Sequence, residues 1–275
     1  MILIDVPPDF RTHANYIEHF NRLSKGLSVK YNRGIGKANV SESLIMYKKI
    51  QLAELTYKSI VGESDEILKN LEYSQVCVSW IAVKSYYLLF NLLLVFEYLV
   101  SLDESAFNFS HKKVLNKFKD RIKNKDISFT KPNLMGNYSC FSIQNASVRS
   151  GANLASINYS DGDRFVLILK KIVKYKMDRF KVENKIKDFR SRACQIKRDE
   201  YLAKEAVNII EFFYWYRIKA NYKDLEFLNH SINSDEFAKY FSDFFELTVT
   251  FRRCLGLMIN NMSQDRFGKD IIPNI

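Results

Sequence analysis

Apolar side chains recur at helical spacing through most of the chain. Between Asp9 and Leu23, the residues Tyr16, Ile17, Phe20 and Leu23 share one face, with Asp9 as the candidate cap. Asn39 followed three residues later by Glu42 has the form of a capping box for a helix over about 40–60. Gly62-Glu63-Ser64-Asp65-Glu66 reads as a break, placing acids in the first turn of the next helix, 65–101, continuous or broken near Glu72–Ser74. Ser110 caps a helix in which Val114, Leu115, Phe118 and Ile122 line up. Further helices are predicted from Asp163 to about Arg192, from Arg198 to about Leu228, and from Ser234 to about Met262. The last packs Phe237, Phe241, Phe244, Phe245 and Leu247.

Residues 126–163 break this pattern. Pro132, Gly136, Gly151 and Gly162, many Asn and Ser, and no long apolar period predict an irregular insertion, with a hairpin between Tyr138–Ile143 and Ala155–Tyr159. The stretch Tyr73–Val100 invites a transmembrane reading. Lys84 and Glu97 leave an uncharged run of only twelve residues, 85–96, whereas a span needs roughly 18. A buried core helix is expected instead.

Composition supports long helices, with only 9 Gly and 4 Pro in 275 residues, while 47% hydrophobic residues supply a core. Charge adds a more specific signal. The net +11 is local: residues 112–131 carry eight Lys/Arg against two acids, and 170–204 carry thirteen against five. The rest of the chain is mildly acidic. Two basic segments on such a body point to a polyanion, nucleic acid before anionic membrane, or to a merely solvated helix face. Cys77, Cys140, Cys194 and Cys254 form no Cys-x-x-Cys pair. Disulfides and zinc are therefore not expected, and a reducing cytosol is. Met1-Ile2-Leu3-Ile4-Asp5 lacks the basic start of a signal peptide.

Three segments place polar groups where a structural helix would be apolar. Arg217 follows five consecutive aromatics, Phe212 to Tyr216, and Asn221 and Asp224 share its face. A guanidinium on a rigid helix suits phosphate recognition; the plainer alternative is a structural bridge to Asp224. Lys84, Tyr87 and Asn91 form a matching stripe, alternatively a snorkelling lysine beside a core tyrosine. His111 lies at a helix N-terminus beside Lys112 and Lys113. Dipole and cations favour its neutral ring, the form a general base needs, although a first-turn histidine also serves as a structural hydrogen-bonding group. His13 and His19 lie six apart on a short helix, His230 in a loop, and no metal-ligand set appears. Arg33-Gly34-Ile35-Gly36-Lys37-Ala38 has the wrong spacing for a phosphate loop.

In order, Ser85-Tyr86-Tyr87-Leu88-Leu89-Phe90, Ser110-His111-Lys112-Lys113-Val114 and Arg217-Ile218-Lys219-Ala220-Asn221-Tyr222 resemble the HEPN superfamily of helical bundles. The branch concerned carries a Tyr-Tyr helix, a Ser-His pair and Arg-x-x-Ala-Asp-Tyr. The resemblance covers about 65–125 and 200–260, roughly half the chain. Asn221 stands where the branch usually has Asp. The Arg-x(4–6)-His pair of the HEPN ribonucleases is absent: seven residues separate Arg11 from His19, and twelve separate Arg217 from His230. The insertion is also longer than the family's usual connection.

The resemblance implies an all-α, up-down HEPN-like bundle in a single domain. Residues 1–62 form an N-terminal helical extension, 63–125 with 200–262 the core bundle, and 126–199 the basic insertion. It implies an RNA-directed protein of the toxin–antitoxin or phage-defence kind, pairing as a homodimer. As a metal-independent, cofactor-free ribonuclease it would use Arg217, His111, Tyr222 and Asn221 in catalysis. Lys84, Tyr87, Asn91, Lys112, Lys113, Lys170, Lys171, Lys174, Arg190 and Arg192 would bind RNA. The alternative is a non-catalytic module docking a nucleotidyltransferase, antitoxin or defence effector. The missing Arg/His pair favours that module; the focused charge favours RNA. No membrane partner is expected.

Overall fold

A computed structural model describes residues 8–39, 41–67, 69–129, 140–142, 161–204, 206–222, 234–273 and 275. Its elements are α1 (Pro8–Ser24), β1 (Val29–Tyr31), α2 (Leu44–Glu66), α3 (Leu71–Ser101), a 3₁₀ turn (Glu104–Asn108), α4 (His111–Lys123), β2 (Ile127–Phe129) and β3 (Cys140–Ser142). They continue with α5 (Asp161–Glu183), α6 (Arg192–Lys204), β4 (Ala206–Asn208), α7 (Glu211–Tyr222) and α8 (Ser234–Phe267). The protein is predominantly α-helical.

The middle of α3 is apolar all round, and such a helix must be covered on every side. Leu88, Leu89 and the run Leu92–Phe96 are buried. The helix packs chiefly against α8 and α2, with α7 on a further side, while α1 lies against α8 and α5. By length and composition Tyr73–Ser101 could cross a membrane; here its most apolar window is 72% buried within the protein. One apolar cluster runs from Phe10 on α1 through α3 and α7 to Met262 on α8.

Polar ties fix the helices in register. Glu97 on α3, 2% exposed, receives a bidentate guanidinium from Arg121 on α4 at 2.8 and 2.7 Å. Arg252 on α8 forks onto Glu54 on α2 at 2.9 and 2.8 Å. Arg266 donates to the carbonyls of Leu99 and Val100, supplying positive charge at the C-terminal end of α3. The Ser85 hydroxyl bonds that of Thr248 on α8 at 2.7 Å.

Several local expectations are corrected. Pro8 opens α1, so Asp9 lies inside the first turn. The cap of α2 is Ser43, whose hydroxyl accepts from Ile45 and Met46, not Asn39. Glu42 bonds Tyr47 and Lys269 instead. The helix runs through Gly62, and α3 starts at an Asn70 cap. Strand β3 pairs antiparallel with β4, Cys140 opposite Asn208; the expected hairpin partner, 155–159, lies outside the described residues. The stretch expected as one helix from Arg198 is split by β4 into α6 and α7. Strand β1 pairs with β2 about a hundred residues away, Val29 opposite Phe129.

Candidate functional site

Helices α3, α4 and α7 bring their atypical polar residues to one point. On α7, Phe212, Phe213, Trp215 and Tyr216 are buried in the core, while Tyr214 and Arg217, three apart, share the partly exposed face. The Arg217 guanidinium donates to the Tyr87 hydroxyl at 3.1 Å. Its central carbon stands 5.2 Å from the Tyr87 ring centre, 5.6 Å from Tyr86 and 5.7 Å from Tyr214. Three rings thus form a cage for one cation, with quadrupoles that favour it. Among the described residues no carboxylate pairs with Arg217, and its Nε has no hydrogen-bond partner. Asp224, the alternative partner, lies outside the described residues.

Opposite stands His111, in the first turn of α4. The Ser110 hydroxyl caps this helix through the Lys113 amide at 3.3 Å, fixing where the imidazole emerges. Its Nδ1 is 2.8 Å from the Tyr86 hydroxyl, and its ring is 4.3 Å from that of Phe90. Burial pushes its pKa below the ordinary 6.5, and the Arg217 charge pushes the same way. The ring is therefore neutral near pH 7. Because the folded-state value is depressed, the associated stability is present above about 6.5 and lost as pH falls through the folded value. Burial also raises the pKa of Tyr86 and Tyr214, so both remain phenols. The Tyr86 bond is compatible with both neutral tautomers: Tyr86 O–H donating to Nδ1 places the ring proton on Nε2, whereas Nδ1–H donating to Tyr86 leaves the Nε2 lone pair free, the form a base requires.

The other residues expected at the site divide. Tyr87 belongs to it and is 36% exposed. Lys84 does not: its ammonium turns to α2, pairing with Glu63 and donating to Ser59 at 3.0 Å. Asn91 is buried and donates to the Tyr87 carbonyl at 2.8 Å, a bond internal to α3. Lys113 covers the Phe109 ring at 3.6 Å, and Lys112 is exposed at the site's edge. Asn221 and Tyr222 lie in the last turn of α7, with side chains outside the described residues, as are those of Lys170 and Lys171. Lys174 on α5, Arg190 between α5 and α6, and Arg192 at the start of α6 are exposed. Tyr214 is a site residue that the sequence reading misses; its position three before Arg217 is the signal that marks it.

His13 forms a separate buried group: its Nε2 is 2.7 Å from the Lys219 ammonium and its Nδ1 3.1 Å from the Tyr216 hydroxyl. The ammonium can only donate, so Nε2 accepts and Nδ1–H donates. Among the described residues no three His, Cys, Asp or Glu side chains converge as a metal set would. Compared with protein-family models, curated proteins and solved structures, the chain finds no match.

Proposed function

We propose that this is a HEPN-like bundle that binds single-stranded RNA and cleaves it without a metal at the Arg217–His111 site. The observation that carries this reading is a guanidinium caged by three tyrosines, with no carboxylate partner among the described residues, facing a neutral imidazole. Its natural ligand is a phosphate oxygen. In the proposed step His111 Nε2 takes the proton of a ribose 2′-hydroxyl, whose oxygen attacks the adjacent phosphorus. Arg217 stabilises the charge of the phosphorane. The bond to the 5′-oxygen breaks, and that oxygen takes a proton from the Tyr87 hydroxyl. The products are a 2′,3′-cyclic phosphate and a 5′-hydroxyl.

Backbone affinity is assigned to α5, α6 and the segment between them. Lys174, Lys185, Lys187, Arg192 and Lys197 are exposed and have no carboxylate partner among the described residues. Replacing all five by Gln flattens the plot of log affinity against log salt, measured on a labelled single strand, by about 0.7 for each phosphate no longer neutralised. An unchanged slope removes the insertion from the binding face.

The test of catalysis is incubation of labelled RNA in EDTA. Cyclic-phosphate ends are expected from the wild type, and a large loss from His111→Ala; equal cleavage by both removes the proposed base. An exposed apolar row on α3, Tyr73, Val76 and Trp80, favours a second reading, a module that docks a protein partner such as a nucleotidyltransferase. Under it, substitutions in that row abolish association while His111→Ala has no effect.

A further inference from the structure

We infer that the cleft between α4, α5, α6 and α7 is a pocket for one unstacked RNA base, that of the nucleotide whose phosphate meets Arg217. This rests on the reading of the Arg217–His111 site as RNA-directed. The cleft holds about 130 Å³, an order of magnitude above the roughly 10–15 Å³ that admits a single water. It is therefore a ligand-sized space and no packing defect. Its aromatic walls are Tyr175 on α5, Tyr201 on α6, and Tyr214 and Trp215 on α7. Flat walls from three helices suit a flat π-system, and stacking on such side chains is how proteins hold splayed-out bases.

The charges argue in the same direction. Lys112, Lys176 and Arg179 line the cleft with Glu183 and Glu211. Both acids are already paired, Glu211 with Lys176 at 2.7 Å and Glu183 with Arg179 at 3.0 Å. The cleft thus offers no unpaired carboxylate, and an aromatic cage for an organic cation needs a negative or neutral surround. An aromatic ring bearing a phosphate fits better. Asn116, also in the wall, adds an amide for a base edge.

Continuity with the site fixes the register. Tyr214 is shared: one wall of the cleft, and 5.7 Å from the Arg217 guanidinium carbon. Lys112 lines the cleft, and the preceding residue is His111. A base against Tyr214 and Trp215 therefore brings its own ribose and 3′-phosphate to His111 and Arg217.

The chain has two tryptophans, so Trp80→Phe leaves Trp215 as the sole reporter. In that protein, 3′-AMP or 3′-UMP is expected to quench Trp215 fluorescence saturably, whereas inorganic phosphate does not. Tyr201→Ala is expected to weaken the nucleotide about ten-fold. Because Tyr201 also stacks on Phe180, a second measurement leaves the protein unaltered: an oligonucleotide abasic at the nucleotide 5′ of the cut is cleaved at least ten-fold more slowly than its intact counterpart. Equal cleavage of the abasic strand, or no saturable quenching by either nucleotide, overturns the base pocket. Cleavage indifferent to the base defeats the pocket and leaves the catalytic reading standing. Saturable nucleotide binding with intact RNA uncleaved defeats the catalytic reading and leaves the pocket.

Discussion

Arg217→Ala lowers the single-turnover rate of RNA cleavage by about 10²–10³, the usual loss when one preorganised donor to a developing oxyanion is removed. The fold should survive, because Arg217 has no ion pair among the described residues; it gives up one hydrogen bond to Tyr87 and its contacts with three rings. Contacts of this kind amount to about 0.5–2 kcal/mol. Arg217→Lys recovers little activity. An ammonium keeps the charge but lacks the planar fork, and it cannot lie between Tyr87 and Tyr214 while addressing a phosphate with two donors. Rates within two-fold of wild type for both variants would show that the guanidinium is structural.

The second large effect is on stability. Glu97→Ala destabilises the protein by about 3–5 kcal/mol in urea unfolding, since it leaves the largely buried Arg121 guanidinium with only Asp126, 4.0 Å away. Lys117, 3.7 Å from the same carboxylate, loses its partner too. The paired replacement Glu97→Leu with Arg121→Met should cost less than Glu97→Ala alone, because the guanidinium is removed together with its carboxylate, while Lys117 is partly exposed and Asp126 keeps Arg33. A single-variant loss below about 1 kcal/mol would mean that water reaches this pair and screens it.

The parts of the fold legible in sequence are those whose cause is local. Ser110 was readable as a cap because its own hydroxyl bonds an amide three residues on. Ser234 marked the start of α8 through the acids in its first turn. The failures have tertiary causes. Asn39 and Glu42 have the spacing of a capping box, yet Lys269, far along the chain, claims the Glu42 carboxylate. Gly62 did not stop α2, since a glycine costs a helix only about 1 kcal/mol, less than packing along α3 returns. The three-residue strands were illegible because each pairs with a distant segment.

The candidate site was legible for a different reason. Arg217, Tyr87 and His111 are polar groups at positions where packing alone would select apolar ones, so they mark a shared environment. The same logic over-reached with Lys84, because α3 is also polar where it meets Glu63 on α2. Tyr86 stands out in sequence only through the Tyr-Tyr motif, yet it is fully buried and holds the imidazole. Its tyrosine neighbour gave no hint of which of the two would face inwards. The cleft under α5 and α6 was invisible, since its four walls come from helices whose packing no local pattern announces.

The proposed chemistry depends on Arg217 and His111 sharing one partly buried site. The most direct measurement is the titration of the His111 ring by NMR, assigned with His111→Gln, in the wild type and in Arg217→Met. The wild-type midpoint should lie below 6.5 and should rise in Arg217→Met, only part of the way because burial is the larger cause. A midpoint at or above 6.5 that ignores Arg217 would contradict it.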